Sequence, residues 1–322
     1  MKKILITGGA GFIGSNFIRY FLNNYRDYTI VNLDKLTYAG NKNNLKDCEK
    51  DPRYKFVRGD ICDKAIVEKL VLGCDAVINF AAESHVDRSI KDPESFMRTN
   101  IGGVQVILDA VKKFSIPRFI QISTDEVYGS VKEGYSKETD CLMPSSPYSA
   151  SKAAGDLLCH SYFVTYETPV VIVRSSNNFG QYQFPEKVIP LFITNALEDK
   201  KLPLYADGKN KRDWIYVLDN CEAINCVFQK GKAGQIYNIG GGNEKTNLEL
   251  TQTILKIMEK PKGLIEFVKD RPGHDKRYAV NSRKLETLGW KPKCDFYKAL
   301  ELTVQWYKDN RTWWRPLKER SV

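Results

Sequence analysis

ITGGAGFIGSN, residues 6–16, follows an apolar β-branched run and opens into a segment with helical spacing. It therefore reads as strand, turn and helix. Two glycine registers hold at once: Gly9, Gly11 and Gly14 fit G-x-G-x-x-G, while Gly8, Gly11 and Gly14 fit G-x-x-G-x-x-G. Residues without Cβ let the chain turn tightly. They also let backbone N–H groups meet a pyrophosphate at the helix N-terminus, where the helix dipole favours anions. No Lys-Ser/Thr follows the glycines as a Walker motif requires, which disfavours nucleotide kinases.

Working outward, KKILITG, YTIVNLD, YKFVRGD, DAVINFAA, RFIQISTDEVYG and VVIVRSSNNFG read as strands buried on both faces. Helical spacing marks Phe12 to Leu22, Lys64 to Leu72, Phe96 to Phe114 and Tyr148 to Tyr166. The alternation predicts an α/β fold: a Rossmann-type, doubly wound parallel sheet, with ligands beyond the carboxyl ends of its strands. The second strand ends in Asp34, where an acid accepts hydrogen bonds from an adenosine ribose diol. Its carboxylate would repel the 2′-phosphate of NADP, so NAD is the expected cofactor. Lys35 is the neighbouring cation that can offset such repulsion, and a cap after the strand is the structural alternative for Asp34. After Asn177 the rhythm changes to longer loops with Pro, Gly and aromatics. Residues 1–176 are expected to form the NAD-binding domain and 177–322 a smaller α/β substrate lobe, with the segment near 213–235 packing back on the first domain. The tail WYKDNRTWWRPLKERSV is read as a last amphipathic helix, its tryptophans on the small lobe, that frays at its end.

With 322 residues, 42% hydrophobic and 27% charged, the chain has an ordinary soluble composition, and no stretch approaches the ~20 apolar residues of a membrane span. Lys2 and Lys3 precede an apolar run, but glycines interrupt it too early for a secretory signal. Cys48, Cys62, Cys74, Cys141, Cys159, Cys221, Cys226 and Cys294 are scattered without metal-ligand spacing, as reduced cytoplasmic thiols would be. With His85, His160 and His274 as the three histidines, a zinc hydrolase has little to build from and no metal is expected. The net charge of +10 is spread along the chain without a nucleic-acid module, so an anionic small substrate or simple solubility accounts for it.

Tyr148 and Lys152 stand as Y-x-x-x-K in SPYSASKAAGD, with Pro147 at the helix entrance. Positions i and i+4 share a helix face, so an ammonium can lie near a phenol. A tyrosine starts near pKa 10 and must come down by roughly three units, about 4 kcal/mol, to act as a base at neutral pH. Lys152 and a positive nicotinamide are the groups expected to supply this. Ser123 and Thr124 precede two adjacent acids, Asp125 and Glu126, where the fifth strand runs out.

These residues carry a resemblance to the extended short-chain dehydrogenase/reductase superfamily, and within it to the dTDP-glucose 4,6-dehydratase family. The similarity runs nearly end to end, through GGAGFIGSNF, LDKLTYAGN, AAESHVDRSI, STDEVYG, SSPYSASKA, SNNFG, PEKVIP, DGKNKRDWIYV and RPGHDKRY. It implies that Tyr148, with Lys152 and Thr124, takes the proton of the sugar 4-hydroxyl as C4 hydride passes to NAD. Glu126 then removes the acidified C5 proton while a protonated Asp125 delivers a proton to the departing 6-hydroxyl. Hydride return to C6 leaves a 4-keto-6-deoxy sugar with no net redox change. Two neighbouring carboxyls suit this because they separate into one ionised and one protonated form. A regular strand would point them to opposite faces, so the backbone must leave strand geometry near Thr124.

The resemblance further implies that Gly8, Gly11, Phe12, Ile13, Gly14, Asp34, Lys35, Leu36, Thr37, Asp60, Ile61, Ala81, Ala82, Ser84, Thr99 and Asn178 line the cofactor, with Tyr148 and Lys152 reaching it too. Ser84, Thr124, Asn177, Lys187, Val188, Pro203, Tyr205, Arg212, Asn247, Arg271, His274 and Tyr278 fall at positions that contact the nucleotide sugar. His85 is either a site support or a structural hydrogen-bonding residue, and His160 is helix surface or interface. Gln181 replaces an expected proline and could loosen its loop, and YVLDN stands where YVEDH is usual. A homodimer through the two long helices is expected. Three rivals stay open: a UDP-glucose 4,6-dehydratase, whose base differs by one methyl group; a nucleotide-sugar 4-epimerase, which has no need of acids at 125 and 126; and a non-catalytic NAD-binding protein.

Overall fold

A computed structural model describes residues 1–319. Seven strands form the main sheet: β1 (Lys2–Thr7), β2 (Tyr28–Asp34), β3 (Tyr54–Arg58), β4 (Ala76–Asn79), β5 (Phe119–Thr124), β6 (Val170–Ser175) and β10 (Ile236–Ile239). Between the last two in sequence lie β7 (Asn177–Phe179), β8 (Leu202–Tyr205) and β9 (Lys211–Tyr216), and after them β11 (Glu244–Thr246) and β12 (Ile265–Val268). The main-sheet order is β10-β6-β5-β4-β1-β2-β3, and every pairing in it is parallel. Two small sheets, β11-β9-β7 and β12-β8, belong to the C-terminal part.

Alternation along buried strands divides the core. Ile4 and Ile6 face one side with Phe17, Phe21 and Ile78, while Leu5 faces the other with Leu33, Ile107 and Val111. The strand order reverses at β1, between β2 and β4, which opens the crevice where such sheets bind ligands. The C-terminal half contributes directly to the main sheet through β10, and the helix Val217–Lys230 packs on the helix Phe12–Asn24, with Phe228 set edge-on to Phe21 at 5.7 Å.

Three segments depart from the simple strand-helix reading, each for a local reason. VVIVRSSNNFG is two strands in two sheets: β6 ends at Ser175, the Ser176 N–H donates to the Ile239 carbonyl at 2.9 Å, and β7 then pairs with β9. The helical stretch from Pro93 to Lys113 contains a π turn at Arg98–Gly103, where Asn100 turns its amide onto the Glu83 backbone (2.9 and 3.0 Å) and the Ser151 hydroxyl (2.8 Å). The tail forms two helices, Phe296–Asp309 and Arg311–Glu319. Trp306 and Trp314 pack on C-terminal residues as expected, while Trp313 reaches the first half of the chain: it donates to Asn44 at 2.9 Å, and Asn44 in turn donates to the Ala10 carbonyl of the glycine turn at 2.9 Å. The fraying expected at residues 320–322 lies outside the described residues. Gln181 does not leave its loop loose, because its side chain accepts from Tyr216 at 2.9 Å and its carbonyl accepts from Asn16 at 3.0 Å.

The two adjacent acids sit on a 3₁₀ turn, Asp125–Tyr128, that starts where β5 stops. Thr124 caps it by accepting from the Glu126 N–H at 3.3 Å. Gly129 closes the turn at φ +74°, and a Cβ there would lie 2.2 Å from the Met143 carbonyl oxygen. Gly129→Ala is therefore expected to lower stability by at least about 1–2 kcal/mol in urea denaturation, because an L-residue resists this backbone and the contact with main chain has no easy relief. Unchanged stability would show that the turn tolerates a shift here.

Candidate functional site

The crevice between β1 and β4 opens into a cleft of about 300 Å³ that runs from the glycine turn to Lys187. Its floor is made by close backbone approach: Gly8, at φ +68°, would place a Cβ 2.5 Å from the Ala81 nitrogen, and a Cβ on Gly14 would lie 2.5 Å from the Gly8 carbonyl oxygen. The space above these glycines at the helix N-terminus suits a pyrophosphate. Asp34 is buried and aligned by backbone donors, Ala10 N–H at 2.9 Å and Leu36 N–H at 2.8 Å. A Cβ on Gly40 would lie 2.9 Å from its Oδ1, so glycine lets that loop close over the carboxylate. Lys35 does not stand free beside it, since its ammonium pairs with Asp60 at 2.8 Å. A 2′-phosphate would thus meet a carboxylate without an uncommitted cation, and the donor set fits NAD.

Gly8, Gly11, Phe12, Ile13, Gly14, Asp34, Lys35, Thr37, Asp60, Ile61, Ala81, Ala82, Ser84, Thr99 and Asn178 all line this cleft. Leu36 acts through its backbone N–H on Asp34 rather than through the lining. Thr124, Asp125, Glu126, Tyr148 and Lys152 line the same cleft, together with Asn177 and Lys187.

The two acids are not equivalent. Asp125 is 3% exposed, and burial first, then Glu126 and Asp213, push its carboxyl well above the usual carboxylate range; Arg212 and the Thr124 hydroxyl only partly oppose this. Burial raises Glu126 as well, but three cations, Arg212, Lys187 and Arg271, pull it back toward the ionised form. Both carboxyls are thus raised, Asp125 the more strongly, and the cations act on Glu126 in the direction of ionisation. Tyr148 is pushed up by burial and by Glu126, with Thr124 acting in the opposite sense. Lys152 lies buried, its ammonium donating to the Ile122 carbonyl at 2.6 Å, and burial lowers its pKa while Asp156 and Cys159 raise it. On balance the surroundings hold the phenol protonated, with Thr124 among the groups that oppose this, so its ionisation calls for a further cation brought against it.

On the far side, Arg212 lies 4.4 Å over the Tyr278 ring and donates to the Asp275 carbonyl at 2.9 Å. The Tyr278 hydroxyl donates to Asp275 at 2.5 Å and reaches Glu126 at 3.5 Å. Lys187 donates to the Ser84 carbonyl at 2.7 Å. Arg271 stands 3.8 Å from Asp87, which also accepts from Tyr205 at 3.3 Å; His274 pairs with Asp270 at 2.6 Å and sets its ring edge-on to Tyr205. Val188 and Asn247 open two helices that pack against β8, the strand of Pro203 and Tyr205. These eight, Val188, Pro203, Tyr205, Arg212, Asn247, Arg271, His274 and Tyr278, stand outside the cleft lining itself. His85 caps a short helix through Nδ1, accepting from the Arg88 N–H at 3.4 Å, and burial with neighbouring cations pushes its pKa down to about 3; His160 is exposed.

Residues 5–303 match the sequence model of the GDP-mannose 4,6 dehydratase family. The chain belongs to that family. A dTDP-glucose 4,6-dehydratase of Streptomyces niveus is 49% identical over 321 residues, covering 98% of this chain and 96% of that one. Among family structures, DesIV, a dTDP-glucose 4,6-dehydratase of Streptomyces venezuelae solved with NAD and dTDP bound, superposes with a TM-score of 0.97 at 46% identity, over 98% of this chain and 99% of that one. The fold alone does not single out dehydration: a UDP-glucuronic acid 4-epimerase of Bacillus cereus superposes with a TM-score of 0.90 at 32% identity, over 95% and 99% of the two chains.

Several residues around the cleft escape sequence reasoning. Arg88 stacks 4.0 Å over Tyr38 and reaches Glu186, which lines the cleft, at 3.2 Å, so three separate segments meet at this point. The adjacent Lys187 was the available signal for Glu186. Asp213, which raises Asp125, is held by the Gly241 and Asn243 N–H groups at 2.8 and 2.7 Å, a long-range arrangement without local signature.

Proposed function

We propose that this chain is an NAD-dependent dTDP-glucose 4,6-dehydratase, a hydro-lyase that converts dTDP-glucose to dTDP-4-keto-6-deoxyglucose and water. Bound in the cleft, NAD supplies a reversible hydride acceptor that oxidises C4 and restores the hydride to C6. Tyr148 accepts the proton of the C4 hydroxyl, with Thr124 orienting the phenol. The C4 ketone acidifies the C5 proton, which Glu126 removes. Asp125 gives its proton to the C6 hydroxyl, which leaves as water. The observation that carries this reading is the pair of adjacent buried acids at the end of β5, Asp125 raised further above its ordinary range than Glu126, which cations oppose: an epimerase needs no such acid-base couple. The cationic group Arg212, Lys187 and Arg271 supports a diphosphate-linked substrate, since the arginine fork donates paired hydrogen bonds to phosphate oxygens.

The homologues support thymidine as the base, and the UDP reading becomes an outcome of the test. A homodimer accords with Leu157 and Val164, which share one face of the helix Pro147–Tyr166 at 59% and 65% exposure. Eight free cysteines accord with a reducing, cytoplasmic setting. Among the described residues no helix is long and apolar enough to cross a membrane.

dTDP-glucose carrying deuterium at C4 decides the activity. The label is expected in the C6 methyl of a product that develops absorbance in strong alkali. Deuterium lost to solvent, or a product epimeric at C4, overturns the proposal. UDP-glucose run in parallel should show a lower kcat/KM by roughly tenfold or more, the scale on which a pocket resolves a methyl group.

A further inference from the structure

Tyr148, Lys152 and Asp156 follow one another at four-residue steps along the helix Pro147–Tyr166 and so share a face. Asp156 touches neither cofactor glycines nor the acids, yet it is 1% exposed and holds Arg174, itself 3% exposed, through Nε at 2.8 Å. Arg174 stands on β6 and donates its other arm to the Tyr128 hydroxyl at 2.8 Å, its guanidinium 4.8 Å over the same ring. Tyr128 in turn donates to Asn238 on β10 at 2.8 Å. Tyr128 is the last residue of the turn that begins with Asp125 and Glu126. One buried ion pair therefore touches both the helix that carries the Tyr-Lys pair and the turn that carries the two acids. Burying such a pair gains little stability by itself, so its position calls for another account.

We propose that Asp156 and Arg174 are positioning residues of the reaction: Asp156 keeps Lys152 charged behind Tyr148, and Arg174 locks Tyr128 so that the turn presents Asp125 and Glu126. The inference rests on the support of Tyr148 by Lys152 that the family resemblance implies and on the roles proposed for the two acids. The groups that face Lys152 are few. On its own helix they are Asp156 and Cys159, whose thiol burial keeps neutral. From β5 comes the Ile122 carbonyl, and from β6 comes Arg174, by way of Asp156. Burial raises the Asp156 carboxyl, and Arg174, paired with it at 2.8 Å, and Lys152 pull it back toward its ionised form. Among these groups Asp156 is therefore the main negative charge facing the lysine.

The sign follows. Lys152 must keep its proton, so C4 oxidation fails as pH rises through the lysine's pKa; without Asp156 that pKa falls, and the failure comes at lower pH. Substrate-dependent nicotinamide reduction in a single turnover isolates this step from Asp125. In Asp156→Asn its alkaline limb is expected to move down by about one pH unit, a tenfold change in proton affinity. Because Asp156→Asn leaves Arg174 unpaired and can fail to fold, Asp156→Asn with Arg174→Gln, which removes both charges, must show the same direction. Arg174→Lys keeps a cation for Asp156 but loses the second arm: reduction is expected near the parent rate, with water loss slowed about tenfold or more. An unmoved alkaline limb in a folded Asp156 variant overturns the role of Asp156, and equal slowing of both steps in Arg174→Lys overturns that of Arg174. Absence of water loss in the unaltered protein would instead overturn the dehydratase reading.

Discussion

Glu126→Gln is expected to stop turnover while leaving the first half of the reaction in place: with dTDP-glucose the nicotinamide should become reduced, and the methyl product should not form. Glutamine keeps the size and the hydrogen-bonding oxygen but cannot take the C5 proton. Removing a positioned general base costs ~10²–10⁴ in rate. Asp125→Asn should behave alike from the other side, since an amide cannot protonate the leaving hydroxyl. The two differ in pH dependence. Glu126 must be ionised, so the acid limb of water loss belongs to it and lies above the usual glutamate value, in line with its raised pKa. Asp125 must be protonated, so activity falls as pH rises through its raised pKa, an alkaline limb that Asp125→Asn removes together with the activity. Burial and Glu126 push the Asp125 carboxyl toward its neutral form, so an amide is the closer mimic there and the fold should persist in Asp125→Asn. Product formation at the parent rate in either variant would refute the role given to that acid.

The alternation of buried strands with helices was legible because β1, β2, β4, β5 and β6 lie inside a parallel sheet and announce themselves as apolar runs; β3, expected to be buried on both faces, is instead the half-exposed edge strand. The glycine turn was legible for a similar reason: Gly8 and Gly14 meet backbone so closely that no other residue fits. The turn at Asp125 was legible only as a requirement, since two acids cannot share a site from a flat strand; the 3₁₀ geometry and its Thr124 cap meet it. Partners distant in sequence left no trace. Lys152 offered its i, i+4 relation to Tyr148, yet its ammonium goes to Ile122 on β5, and the influence on Asp125 of Asp213 depends on a loop beyond β10. The break at Ser176 has a local mark, the polar run Arg174 to Asn178, but the pairing of β7 with β9, distant in sequence, has none.

Tyr148→Phe should fail one step earlier than the acid variants, and the contrast orders the chemistry. Phenylalanine fills the same volume in a buried position, 9% exposed, so the helix and cleft should persist. With no hydroxyl to receive the C4 proton, substrate should bind without reducing the nicotinamide, and the single-turnover rate should fall by ~10²–10⁴. Burial and Glu126 both hold the phenol in its protonated form, so Tyr148 becomes a base only when a cation stands against it in the loaded cleft. A titration of the protein freed of NAD should therefore show no tyrosinate from this residue at neutral pH, and addition of NAD should bring its ionisation down. Glu126→Gln/Tyr148→Phe should behave as Tyr148→Phe alone, because the ketone that Glu126 exploits never forms. Nicotinamide reduction persisting in Tyr148→Phe at the parent rate would move the proton acceptor to another group and detach Lys152 from the first step.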